Sequence, residues 1–216
     1  MACSTVAREL RRAGLHRLRL LDPPEPPRRY ERRHPGELLH LDVKKLGRIG
    51  GRVGHRIHGD RTTRVLGIGW EYVHVAIDDY SRVAYVEVLP GQDSMTAIAF
   101  LRRAVRWFKG LGIKVEEILS DNGSAYRSRY FLRRCQALKL RTLKTRPYRP
   151  QTNGKAERFI QTLLREWAYA RAYPNSRRRT AALSAFVSRY NRRRPHSSLH
   201  GRPPISRLEV PSEQRL

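Results

Sequence analysis

The stretch WEYVHVAIDDYSRVAYVEVL, residues 70–89, decides the fold. Apolar and polar residues alternate from Trp70 to Tyr80, the period of a half-buried strand. A second such run, RVAYVEVL, starts at Arg82 after a turn on a two-residue scale, so the pair predicts an antiparallel hairpin. The period then changes. Ile98, Leu101, Val105 and Phe108 recur at helical spacing between Ser94 and Lys109, and Gly110 and Gly112 close the segment.

Upstream of the hairpin, ELLHLDV (37–43) suits a buried strand, and the stretch 47–69 places seven glycines among arginines. A loop of that length is more often functional than packed. Downstream, VEEILS (115–120) and LRTLKT (140–145) read as strands, 128–139 as a helix, and 153–172 and 180–192 as the last two helices. Five strands interleaved with helices in this order predict an α/β fold, a mixed five-stranded sheet flanked by helices. STVARELRRAGL (4–15) predicts a short basic helix capped by Ser4 or Thr5 and stopped at Gly14. The proline-rich run 22–36 reads as a stiff linker. The expected organisation is a helical region over 1–21, the linker, a catalytic-size domain over 37–208 and a tail over 209–216.

With 45 Lys and Arg against 19 Asp and Glu, the formal charge is +26, and the expected partner is a polyanion, nucleic acid above all. No apolar run reaches the ~18–20 residues of a spanning helix and no signal peptide opens the chain, so the expectation is a cytoplasmic protein without a membrane partner. Cys3 and Cys135 have no CxxC partner and read as free thiols. His196 and His200 have metal spacing, but Pro195 precedes them and no Cys or carboxylate lies close by in sequence, which argues against a zinc site.

Against this basic background three acids stand out: Asp42 within or at the end of the first strand, Asp121 at the end of the fourth, and Glu157 in the first turns of a long helix, between Lys155 and Arg158. Strand ends are where sites assemble in open α/β sheets. An acid on a DNA-facing helix would repel its substrate unless a cation lay between them. Taken singly, each acid is also explained as a turn, a cap or a helix-dipole residue. In SDNGSAY (120–126), Gly123 is expected to permit a positive φ while Asn122 bonds locally, holding Asp121 at the sheet rim. Thr152 or Asn153 would cap the following helix, with Phe159, Leu163 and Trp167 on its core side. Lys155 and Arg158 would project on the solvent side.

The order Asp42, Asp121 in SDNGSAY, then Glu157 in PYRPQTNGKAERF with 35 residues between the second and third acids, resembles the DDE transposases of bacterial insertion sequences and the retroviral integrase core. YNRRRPHSSLHGRPP (190–204) is similar to the family's carboxy-terminal signature, so the resemblance covers roughly 37–208. It implies a ribonuclease H-like fold, two bound Mg²⁺ or Mn²⁺ ions, and metal-dependent cleavage of transposon ends with 3′-hydroxyl strand transfer into double-stranded target DNA by a homo-multimer. Asp42 would bridge both ions, with Asp121 and Glu157 each completing one. VAIDDYSR (75–82) matches the family's second strand, so Asp78 and Asp79 read as hairpin residues. The DNA-contact candidates are Lys144, Arg146, Arg149, Gln151, Asn153, Lys155 and Arg158, which would position the phosphate backbone without reading sequence. The family carries helix-turn-helix modules ahead of this core, and STVARELRRAGL resembles only the tail of one. The rival readings are therefore a truncated, catalytically inactive DNA-binding remnant and, third, a ribonuclease on RNA–DNA hybrids, which shares neither the 35-residue spacing nor the RPH tail.

Overall fold

The computed structural model describes residues 2–17, 31–50, 67–145 and 153–208. They fall into two units, Met1–Tyr30 and Glu31–Leu216. In the first, helix α1 (Cys3–Arg12) buries none of its residues, and Val6 and Leu10 of its apolar stripe are both exposed. Its cap position is Ala2, with no side-chain cap, two residues before the expected Ser4, and it ends at Ala13 and Gly14, whose φ is +74°.

The second unit is built on five strands: β1 (Leu39–Gly47), β2 (Trp70–Asp78), β3 (Ala84–Leu89), β4 (Glu117–Ser120) and β5 (Arg141–Lys144). Their order is β3-β2-β1-β4-β5; the first three pair antiparallel, and β4 and β5 join in parallel. The sheet is thus mixed, as expected, because a hairpin meander is followed by two helical crossovers. These use α2 (Ser94–Gly110), then the short α3 (Ser124–Arg127) and α4 (Arg129–Ala137). Side chains alternate across the strands. Leu39, Leu41 and Ala76 pack one face against Phe100, Leu101, Ala104 and Phe108 of α2 and Phe131 and Cys135 of α4. Leu46, Val73, Val75 and Ile77 pack the other against α5 (Gly154–Leu163) and, beyond α6 (Ser176–Ala181), α7 (Leu183–Arg192), through Phe159, Leu163, Phe186 and Tyr190. Each fully buried Leu or Phe contributes ~1.5–3 kcal/mol. Among the described residues, no helix is long and apolar enough to cross a membrane.

Three expected boundaries change. The hairpin turn occupies 79–82 rather than two residues, with the Arg82 N–H bonded to Asp78 O and Arg82 at φ 66°. The helix expected over 153–172 passes into a π-helical turn, Leu164–Ala168, where the Tyr169 N–H reaches Leu164 O at 2.9 Å. That wide turn carries Trp167 into the core, and its Nε1 donates to Arg179 O at 2.8 Å. The helix expected over 180–192 is two: Asn175 accepts from the Arg178 N–H and starts α6 early. Arg179, 2% exposed, donates to Gly47 O and Glu71, tying α6 to the far ends of β1 and β2. The described part of the expected linker is also bonded, with the Gly36 N–H on Asp78 and the Arg32 guanidinium on Glu117. The tail 209–216 and most of the 47–69 stretch lie outside the described residues.

Asp93 caps α2, accepting from the Met95 and Thr96 N–H groups at 2.9 and 3.0 Å. Asp93→Ala is expected to lose about 1 kcal/mol of stability, read as a lower urea midpoint at unchanged slope.

Candidate active site

Asp42 is the fourth residue of β1, paired with Val75 and so on the α5 face of the sheet. The parallel register of β1 and β4 pairs Leu39 with Ile118 and His40 with Leu119; continued two residues past these pairs, it would set Asp121 beside Asp42, and the charge of Asp121 does bear on Asp42. Asp121 is exposed just past the end of β4, and its Oδ1 accepts the Gly123 N–H at 2.9 Å. Gly123 has φ −55°, not the positive φ expected of it. Its lack of a side chain matters for another reason: a Cβ there would stand 2.9 Å from that same carboxylate oxygen. Asn122 donates to Thr145 O at 3.1 Å, fixing the turn to the exit of β5.

Glu157 is exposed in the first turn of α5, whose dipole favours a carboxylate there. The Asp42 carboxyl is pushed up from 3.8 to about 6. Burial is the main cause, and the charges of Asp121 and Glu157 add to it against the Val43 N–H and Lys44. Asp121 and Glu157 therefore both lie within electrostatic range of Asp42. Tyr126 is buried near two of them: burial first, then the charges of Asp42 and Asp121, drives its phenol well above the usual range. Its hydroxyl has no hydrogen-bond partner among the described residues.

These residues fit divalent metal ions. All three side chains offer hard carboxylate oxygens, and their mutual repulsion is what a cation relieves. Among the described residues no three His, Cys, Asp or Glu side chains form a ready cage. Mg²⁺ keeps several waters and takes one or two carboxylates, so a pair such as Asp42 with Asp121 suits its chemistry.

The DNA-contact candidates divide. Lys144, at the end of β5, and Arg158 are exposed. Arg146, Arg149 and Gln151 lie outside the described residues, as does Thr152. Asn153 and Lys155 are turned inward. Asn153 is 3% exposed and precedes α5 without capping it; its Nδ2 donates to Leu41 O at 3.1 Å and its Oδ1 stands 3.1 Å from His40 Nδ1. Lys155, expected on the solvent side, pairs with Asp79, because the first turn of α5 sits over the β2–β3 turn. Asp78 and Asp79 are hairpin residues and fully buried. Asp78 accepts from Gly36 and Ser81. Sequence reasoning gave no role to Lys44, whose charge bears on Asp42, or to Tyr126, although Tyr126 closes SDNGSAY and Lys44 directly follows ELLHLDV; a two-residue step along β1 was the available signal for Lys44. His196, pushed down to about 4 by burial and by Arg82, Arg194 and Arg207, stands among cations and is unsuited to a metal.

The "Integrase core domain" profile matches residues 32–150, more than half of the chain, and a second profile of that description matches 138–204. An uncharacterized protein of insertion element IS136 from Agrobacterium fabrum is 39% identical over 83 residues, 38% of this chain and 43% of that protein. Transposase InsD of insertion element IS2D from Escherichia coli is 33% identical over 88 residues, 41% of this chain and 29% of that protein. The chain thus spans less than half the length of these relatives. Its fold is similar to the HTLV-2 integrase catalytic core solved in complex with magnesium, with TM-score 0.52 and 17% identity over 82% of this chain and 98% of that one. A hairpin meander joined by two parallel strands, with acids at the mouth of the β1–β4 junction, is a ribonuclease H-like arrangement, and the chain belongs to the integrase core domain family.

Proposed function

We propose that the chain is the catalytic core of an insertion-sequence transposase, which cleaves DNA at transposon ends and transfers the 3′ end into target DNA. The observation that carries this is Asp42 on the central strand, raised to about 6 mainly by burial and further by the charges of Asp121 and Glu157, in a chain of net charge +26. In strand transfer a 3′-hydroxyl oxygen attacks a target phosphorus and loses its proton, while the bond to the leaving 3′ oxygen breaks and that oxygen gains one. Mg²⁺ or Mn²⁺ ions, two per site and held by Asp42, Asp121 and Glu157, would supply Lewis-acid stabilisation of the charge on both oxygens. The chain's own residues orient the reaction: the Gly123 N–H fixes Asp121, and exposed Lys144 and Arg158 face the phosphate backbone. Both transposon ends must be joined together, so the active form is a homo-multimer on double-stranded DNA, working in the bacterial cytoplasm at the nucleoid.

The test is Mn²⁺-dependent strand transfer on a pre-branched DNA substrate, which supplies the 3′-hydroxyl and needs little end recognition. Labelled product is the expected result. Folded protein that binds Mn²⁺ and DNA without forming product would assign the chain to DNA binding alone.

A further inference from the structure

Behind the three acids lies a second polar group that the chemistry above does not use. His40, fully buried on β1 two residues before Asp42, places Nε2 2.7 Å from Asp79 Oδ1 and Nδ1 3.1 Å from Asn153 Oδ1. Asp79, fully buried in the β2–β3 turn, also takes the Lys155 ammonium and, on its other oxygen, the Arg32 backbone N–H at 2.7 Å. Asn153 closes the group by donating to Leu41 O, the carbonyl adjoining Asp42. Strand β1, the β2–β3 turn and the start of α5 are therefore joined by one buried polar network.

Such a network is a poor device for stability. Apolar side chains of like volume in place of a buried ion pair are often neutral or stabilising, so burial of charge here calls for another account. Burial alone would raise the Asp79 carboxyl, yet the bonds from His40, Lys155 and Arg32 hold it well below the usual carboxylate range. It is a fixed anion, and its partners are the residues flanking the acids. His40 and Asp42 lie on the same face of β1, as residues two apart on a strand do. On α5, Lys155 is about 200° around the axis from Glu157, while Asn153 is about one turn before it. Two anchors at different angles fix both the depth of a helix and its rotation. Together they fix the direction in which Glu157 leaves α5.

We propose that His40, Asp79, Asn153 and Lys155 are positioning residues, setting the helix that carries Glu157 against the strand that carries Asp42, with Lys155 acting through Asp79 and not on DNA. The inference rests on the transposase reading of the three acids. Outer residues of this kind typically change metal affinity or activity by ~10–100-fold when removed.

The experiment uses the full chain. Lys155→Met keeps the aliphatic stem and removes the ammonium; Asn153→Ala is the second variant. Each is measured for Mn²⁺ affinity by calorimetry, for kcat on the pre-branched substrate, and for the salt dependence of DNA binding, beside Arg158→Ala. The expected result is Mn²⁺ affinity and kcat lowered ~10–100-fold in both clamp variants, with the salt slope of DNA binding unchanged. Arg158→Ala should instead lower that slope by about 0.9, one phosphate contact. A Lys155→Met protein with a lowered slope and a wild-type Mn²⁺ isotherm would overturn the proposal in favour of a DNA contact. A lowered melting temperature with wild-type Mn²⁺ affinity and kcat would overturn it in favour of packing alone. Wild-type protein that binds Mn²⁺ but forms no product would sink the transposase reading only, because the isotherms still decide the clamp. Wild-type protein that binds no Mn²⁺ would sink both.

Discussion

Asp42→Asn, Asp121→Asn and Glu157→Gln are each expected to lower Mn²⁺-dependent strand transfer on the pre-branched substrate by ~10²–10³-fold or more. Each amide keeps the shape of the acid and removes its charge, so the fold stays and the hard anionic oxygens go. The acids act as a unit, which gives the prediction a second part. Where groups work together, removing one forfeits most of what the set provides, and combined losses are far from additive. The double variant Asp42→Asn/Glu157→Gln should therefore fall little below the worse single variant. An acid whose amide left the rate within ~3-fold of wild type would not belong to the site, on the same arithmetic of transition-state free energies. The outcome also answers why one acid stands between Lys155 and Arg158. Lys155 is turned to Asp79, so the acid's basic neighbour is not a free phosphate contact, while the charge of Glu157 bears on Asp42.

The strands were legible in the sequence because local pattern decides them, whereas the three acids were singled out by their order and spacing along the chain. Period-two runs gave β2 and β3, helical spacing gave α2 from Ser94, and Asp121 follows an apolar strand directly. What escaped was decided over distance. Lys155 looks like a surface cation from its neighbours, yet the Asp79 that takes it lies 76 residues away, and the His40 beside Asn153 lies 113 away. A capping motif was the obvious local use for Asn153, but its Oδ1 stands against the His40 ring and its Nδ2 donates to Leu41 O. At Gly123 the φ is ordinary, and what a side chain there would disturb is the Asp121 carboxylate oxygen, which would have to move aside for a Cβ. The helix leaves its α-helical register through the turn Leu164–Ala168, where Trp167 bonds to Arg179, a long-range partner that no local pattern marks. Lys44 and Tyr126 matter through Asp42, so their relevance appears only when the acids are already assembled.

The Asp42→Asn substitution that removes activity should also stabilise the metal-free protein at neutral pH. The Asp42 carboxyl stands at about 6 in the folded chain against 3.8 when unfolded. Below 3.8 both states carry the proton, and the residue has no pH-dependent effect. Between the two values the folded state holds more protons, so stability falls as pH rises. Above about 6 both states are ionised and the full penalty is present, up to about 3 kcal/mol for a shift of this size. Partial solvent access reduces it, so a gain of about 1–3 kcal/mol is expected for Asp42→Asn at pH 7.5 in EDTA, and none at pH 3.5. The amide oxygen can still accept the Val43 N–H, so the comparison isolates the charge. Metal reverses the order. Mn²⁺ at a hundred times its dissociation constant stabilises a binding-competent fold by about 2.7 kcal/mol, and the Asn variant should gain little of this. The melting curves of the two proteins should therefore cross over between EDTA and Mn²⁺ at pH 7.5. Equal stability in EDTA at that pH would mean that burial and the neighbouring acids do not penalise the Asp42 charge. A variant stabilised by Mn²⁺ as much as wild type would place the metal elsewhere. Where both halves hold, the fold keeps the Asp42 charge against the cost of burial first and of the neighbouring acids second, and a divalent cation relieves that cost on binding.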